Sequence, residues 1–204
     1  MRKSIFLLAV VLVGWKSMGQ KAEKSSIEFG PRFGLLVSEL NGAENLKSVR
    51  ASFTGGFMAE FKVKSSLAVY AEVSYSRQGS TNRGDNEGSP FDNRLNLDYI
   101  NVPLFIKYYL KEGLAIELGP QLGFLMNAKY LSRQVESPLT RDITNDFESL
   151  DVSLGLGACY KTDWGFIFGL RYTFGFNSIN KSIDYESAEL RNAVFQLHFG
   201  YLFK

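Results

Sequence analysis

One cysteine and one histidine in 204 residues leave little material for the commonest site chemistries. Cys159 alone cannot close an intramolecular disulfide or complete a paired-cysteine metal or redox motif. His198 alone cannot build a histidine metal cluster, so neither a metal nor another cofactor is expected. Net charge is nearly absent as well. The formal +2 includes Arg2, Lys3 and Lys16; without these three the 23 basic residues fall to 20, against 21 acidic ones. No basic stripe of the kind that tracks a phosphate backbone is present, which argues against a nucleic-acid partner. Beyond residue 26 no helical stretch competes with the strand pattern described below.

What is present begins with an export signal. Arg2 and Lys3 precede an apolar run from Ile5 to Val13, and Ser17-Met18-Gly19 puts small residues three and one before a cut ahead of Gln20. The apolar run is far shorter than the roughly 20 residues that span a bilayer as a helix. Residues 1–19 are therefore expected to be a cleaved signal peptide and 20–204 the mature domain. No cysteine lies near the cut to carry a lipid anchor. With 45% hydrophobic and 14% aromatic residues, the remainder suits a single folded domain.

From Ile27 onward apolar and polar residues alternate with a period of two, the signature of strands whose faces meet different surroundings. Eight runs carry it: Ile27 to Val37, Ala51 to Val63, Leu67 to Tyr75, Ile100 to Leu110, Leu114 to Met126, Val152 to Tyr160, Gly165 to Phe176 and Ala193 to Phe203. Most hold 11 to 13 residues, where globular strands average roughly 5–6. One parity is apolar throughout, as in Phe29, Phe33, Leu35, then Phe53, Phe57, then Leu104, Ile106, then Phe166, Phe168, Leu170. The other is small or polar, as in Gly30, Arg32, Gly34 and Gly119, Gln121, Gly123. A soluble barrel is apolar inside, and a membrane barrel the reverse. Eight strands with a polar second face predict an all-β, eight-stranded antiparallel up-and-down transmembrane barrel, because a sandwich would need that face as a core. About eleven residues per strand, tilted by roughly 40°, rise close to 28 Å, against an apolar band of about 25 Å.

Connection lengths orient the barrel. Lys64 to Ser66, Lys111 to Gly113 and Thr162 to Trp164 are three-residue turns, whereas Ser38 to Arg50, Gly79 to Arg94, Ala128 to Asp151 and Ser178 to Asn192 are long and polar. Short turns belong to the periplasmic side and long loops to the exterior, which puts both termini in the periplasm.

The segment Tyr99-Ile100-Asn101-Val102-Pro103-Leu104-Phe105-Ile106-Lys107-Tyr108 resembles the central strand of the porin-like, PorT-type outer-membrane β-barrel family of Gram-negative bacteria. Gly119-Pro120-Gln121-Leu122-Gly123-Phe124-Leu125 is similar to the strand that follows, and Val194-Phe195-Gln196-Leu197-His198-Phe199-Gly200-Tyr201-Leu202-Phe203 to the closing one. Asn101 stands where the family carries glutamate. The resemblance implies the barrel and an outer-membrane location, and assigns no reaction. The closing strand also resembles the C-terminal signal read by the outer-membrane insertion machinery, with Lys204 following the last aromatic residue, Phe203.

The inward parity holds Glu28, Glu60, Glu72 and Glu117 against Arg32, Lys62, Lys107 and Arg171, with His198 among them. These residues are expected to form a polar network that closes a lumen only wide enough for side chains. The Lys111 to Gly113 turn sets Lys107 opposite Glu117 as a cross-strand ion pair, so removing Lys107 should relieve the loss of Glu117. His198 is expected to be a hydrogen-bonded lumen residue rather than a general base, since catalysis would also require a nucleophile and an orienting acid. Asp85-Asn86-Glu87 lacks the spacing of a calcium loop, and Gly155 and Gly157 give room inside a narrow lumen.

No catalytic residue is expected. The leading functional class is a non-enzymatic structural or interaction barrel that displays external loops or docks to envelope or secretion partners. A small-solute porin-like channel is the alternative, and a lipid-modifying barrel enzyme a third. Expected partners are the lipid bilayer, the insertion machinery and an envelope protein.

Overall fold

The computed structural model describes residues 26–42, 48–86, 89–134, 139–181 and 189–204. Residues 1–19, expected to be a signal peptide, and Glu87 of the Asp85-Asn86-Glu87 run lie outside the described residues. The strands are β1 (Ile27–Asn41), β2 (Arg50–Lys64), β3 (Leu67–Asn86), β4 (Ser89–Lys111), β5 (Leu114–Gln134), β6 (Leu139–Asp142), β7 (Leu150–Lys161), β8 (Phe166–Gly175) and β9 (Arg191–Tyr201). All pairings between them are antiparallel. Eight strands form a closed ring in the order β1-β2-β3-β4-β5-β7-β8-β9, sealed where β9 pairs with β1, as in Leu35 opposite Leu197. Phe203 continues the seal by donating its N–H to the Phe29 carbonyl at 2.8 Å. Closure leaves no unpaired edge in the hydrocarbon layer, where each orphaned backbone group would cost several kcal/mol.

The two parities face as the alternation requires. Phe29, Phe33, Leu35, Phe57, Leu104, Ile106, Leu118, Phe168, Leu170, Leu197 and Phe199 are exposed on the outer wall. Glu28, Arg32, Glu60, Glu72, Lys107, Glu117, Arg171 and His198 are buried in the lumen.

Three features depart from the sequence expectation. Gly79 to Arg94, read there as a loop, is mostly ladder: β3 and β4 stay paired from Gln78 opposite Leu97 to Asn86 opposite Ser89. Above the lipid band neither face touches hydrocarbon, so the apolar alternation that marks a strand stops while backbone pairing continues. The Ala128 to Asp151 link likewise carries the end of β5 and the short β6, a ninth strand that pairs only with β5 outside the ring. Two of the expected three-residue turns are Ser65-Ser66 and Glu112-Gly113 tips next to register shifts at Lys62/Lys64 and Tyr109/Lys111, and the third is a four-residue link from Thr162 to Gly165. Gly113 has φ +78, a backbone conformation that a side chain disfavours.

Candidate functional site

The interior is filled in two zones, and the turn-side zone holds the buried ion pairs. Glu72 of β3 accepts hydrogen bonds from Arg32 Nη1 at 2.6 Å, Arg171 Nη1 at 3.0 Å and Tyr70 OH at 2.6 Å. Arg32 also donates to Gln196 at 2.9 Å, and Arg171 Nε to Glu117 at 2.7 Å. Nearer the turns, Glu60 accepts from Lys107 at 3.1 Å, Lys161 at 3.2 Å and Tyr109 OH at 2.6 Å. Lys161 bridges to Glu28, whose other oxygen lies 3.7 Å from Lys62. The Lys107 ammonium stands 4.1 Å from the Tyr70 ring centroid, and the Arg171 guanidinium 4.4 Å from that of Phe105. Removing one member of such a buried set leaves an uncompensated charge, so the set resists opening.

The loop-side zone is mainly apolar, with Ser38, Gln78, Asp151 and Asn192 buried beside its apolar cluster. Leu40 of β1, Leu95, Leu97 and Tyr99 of β4, and Ala128 of β5 bury against Phe147 and Ile179. The last two belong to segments folded across the barrel mouth and tied by Glu148 N–H to the Ile179 carbonyl at 2.7 Å. A second apolar group, including Met58, Tyr70, Phe105 and Ile167, packs around the ionic network. The inward face is thus more apolar than the alternation indicates. Glycine makes space for it: a Cβ on Gly155 would lie 2.4 Å from Phe105 Cζ.

Every residue assigned to the lumen network has a definite place. Glu28, Arg32, Glu60, Glu72, Lys107, Glu117 and Arg171 come together in the ionic zone. Lys62 sits at the turn-side mouth with 37% of its side chain exposed, and Lys161 takes the interior position instead. His198 is buried in the lumen as expected of its parity, but its Nδ1 has no hydrogen-bond partner where a hydrogen-bonded residue was expected. No orienting acid therefore engages that nitrogen. Among the described residues no group of three or more His, Cys, Asp or Glu side chains is placed to hold a metal. Lys161 and Tyr70 were missed in the sequence. Lys161 shares the inward parity of Ser153 and Cys159 but lies one residue past the run ending at Tyr160.

An apolar outer wall around a closed ring of strands and a charged, filled interior define a transmembrane β-barrel. The sequence matches the outer membrane protein beta-barrel domain over residues 18–181, and the chain belongs to that family. It is an outer-membrane protein. Its fold is similar to that of Neisserial surface protein A, at 12% identity and TM-score 0.52, covering 87% of this chain and 99% of that one. It is also similar to Ail, the attachment invasion locus protein of Yersinia pestis, at 13% identity and TM-score 0.50, covering 86% of this chain and 98% of that one. At these identities the likeness concerns the fold alone. No curated protein gives a significant match to the sequence.

Proposed function

We propose that the protein is a plugged, non-conducting barrel that acts as a structural or interaction element, with its external hairpins as the working surface. The observation that carries this reading is the double filling of the lumen, ionic on the turn side and apolar on the loop side. Loops held by a rigid scaffold are where binding resides, and here β3, β4 and β5 carry paired backbone beyond the lipid band. The strand Tyr99 to Tyr108 supports assignment to the PorT-type branch of the family. Residues 1–19 would be removed on export, and the closing strand ending at Phe203 would engage the insertion machinery.

Refolded protein in liposomes tests the reading against its two competitors. Swelling in small sugars at the rate of empty liposomes, with no lipid hydrolysis, is the expected result. Rapid swelling would favour a porin-like channel, and release of fatty acid would favour a lipid-modifying enzyme.

A further inference from the structure

The external end of the barrel carries a concentration of arginine on its outer wall. Tyr75 and Arg77 of β3 point outward, opposite Ile100 and Asp98 of β4. Further from the membrane, Thr81 faces Arg94 and Arg83 faces Asp92 on the same wall. Arg50, at the start of β2, joins them: Val49, Arg50, Ala51, Thr81, Arg83 and Arg94 line a groove of about 280 Å³.

Four arginines here meet two aspartates. Asp92 lies between Arg83 at 3.2 Å and Arg94 at 3.1 Å, and Asp98 takes Arg77 at 2.8 Å. Among the described residues no carboxylate pairs with Arg50, whose hydrogen bond goes to the Leu95 carbonyl at 3.2 Å. Burial, and then the Arg77 guanidinium, push the Arg50 pKa down, as expected where positive charges crowd. Directly below this groove the wall turns apolar, with the Phe53 and Tyr75 rings 6.1 Å apart.

We propose that this groove binds the phosphorylated saccharide headgroup of an outer-leaflet glycolipid whose acyl chains lie against Phe53, Tyr75 and Ile100. Two observations select that occupant. Arg77, Arg83 and Arg94 share the outer wall with Tyr75 and Ile100, and Arg50, paired with Ser38 in the β1–β2 ladder, reaches the same groove with its side chain, so the anion comes from the membrane side. Height selects the headgroup: Thr81 is six residues beyond Tyr75, or about 15 Å along the normal for a tilted strand. A phospholipid headgroup layer is only about 5–8 Å deep, so the phosphate must ride on a taller, sugar-built head. Arginine forks suit phosphate oxygens.

The inference rests on the external placement of the long hairpins. Refolded full-length mature protein in phosphatidylcholine nanodiscs would be doped with a bisphosphorylated lipid A, with its dephosphorylated form, or with phosphatidylglycerol. Intact-complex mass spectrometry would count the lipids retained. Wild-type protein is expected to retain the bisphosphorylated form alone. Arg50→Gln should weaken retention about tenfold, Arg50→Lys less, and Arg50→Gln with Arg94→Gln further. Arg191→Gln, a cation elsewhere at the external end, should change nothing. Equal retention of phosphatidylglycerol, or unchanged retention in the double variant, would overturn the proposal. Competition by soluble glucose 1-phosphate that strips the lipid would assign the groove to a dissolved ligand and overturn it too. External protease that fails to cut the hairpins in intact cells would instead overturn the orientation.

Discussion

Lys107 and Glu117 stand directly opposite each other on β4 and β5 and form the expected ion pair, yet at 3.9 Å it carries no hydrogen bond. Lys107 donates to Glu60, and Glu117 accepts from Arg171; the Glu117 oxygen nearer Lys107 has no hydrogen-bond partner. The turn sets the backbone register, while the long side chains choose partners across the lumen.

This revises the expected double mutant. Glu117→Ala strands Arg171 Nε and should cost about 3–5 kcal/mol. Adding Lys107→Ala should give no relief, because it also strips a partner from Glu60. Denaturant unfolding in lipid vesicles should show more coupling for Glu117 with Arg171 than for Glu117 with Lys107. A double variant more stable than Glu117→Ala would make Lys107 the dominant partner of Glu117.

Leu104 and Leu139 test the lipid boundary, since both are leucines with similar exposure, 53% and 57%. Leu104 lies in the middle of the apolar wall and Leu139 on β6 beyond the ring. Leu104→Arg should cost about 2–4 kcal/mol and impair insertion. Leu139→Arg should leave the heat-dependent gel mobility of the folded barrel unchanged. Thr54, on the inward parity, is buried and donates to the Tyr75 carbonyl at 2.9 Å, so a substitution there would not serve as a tolerant control.

Gly155→Ala should force Phe105 to move and cost about 1–3 kcal/mol. Phe105→Leu should recover much of that loss, because the Cβ clash is with the phenyl tip. Thermal unfolding in detergent micelles of both variants and their combination checks this. An additive combination would place the steric limit elsewhere.

Outside the membrane, hydrogen bonds from Arg94 and then Arg83 hold the Asp92 carboxyl down at about 2. Because its folded pKa lies below the unfolded value of about 3.9, the stabilisation is complete above that value and lost as pH falls through about 2. Amide exchange at the β3–β4 hairpin should stay slow from neutral pH to about 4, once the intrinsic pH dependence is divided out, and rise below it. Asp92→Asn should show the faster exchange from neutral pH down to about 4 and converge with the wild type below about 2.

The fold was legible because lipid and lumen demand opposite residues at every second position, and Ile106 beside Lys107 obeys that rule. What escaped were places where the demand lapses. Asp92 and Arg94 share the outer wall with Ile100, but they stand above the hydrocarbon layer, so strand pairing there leaves no apolar trace. Lys161 escaped because the end of a strand lacks a fixed sign in sequence. The apolar plug escaped because Phe147 and Ile179 lie in irregular segments, brought together only by the closed ring.

The central claim is that the lumen is closed, and single-molecule recording in planar bilayers tests it most directly. Wild-type protein inserted from detergent should add no steady conductance across the accessible voltage range. Glu72→Ala with Arg171→Ala, which opens the middle of the ionic zone while the apolar plug remains, should add only brief flickers. Large, stable, ion-selective openings from the wild-type monomer would contradict the plugged barrel and make the protein a channel.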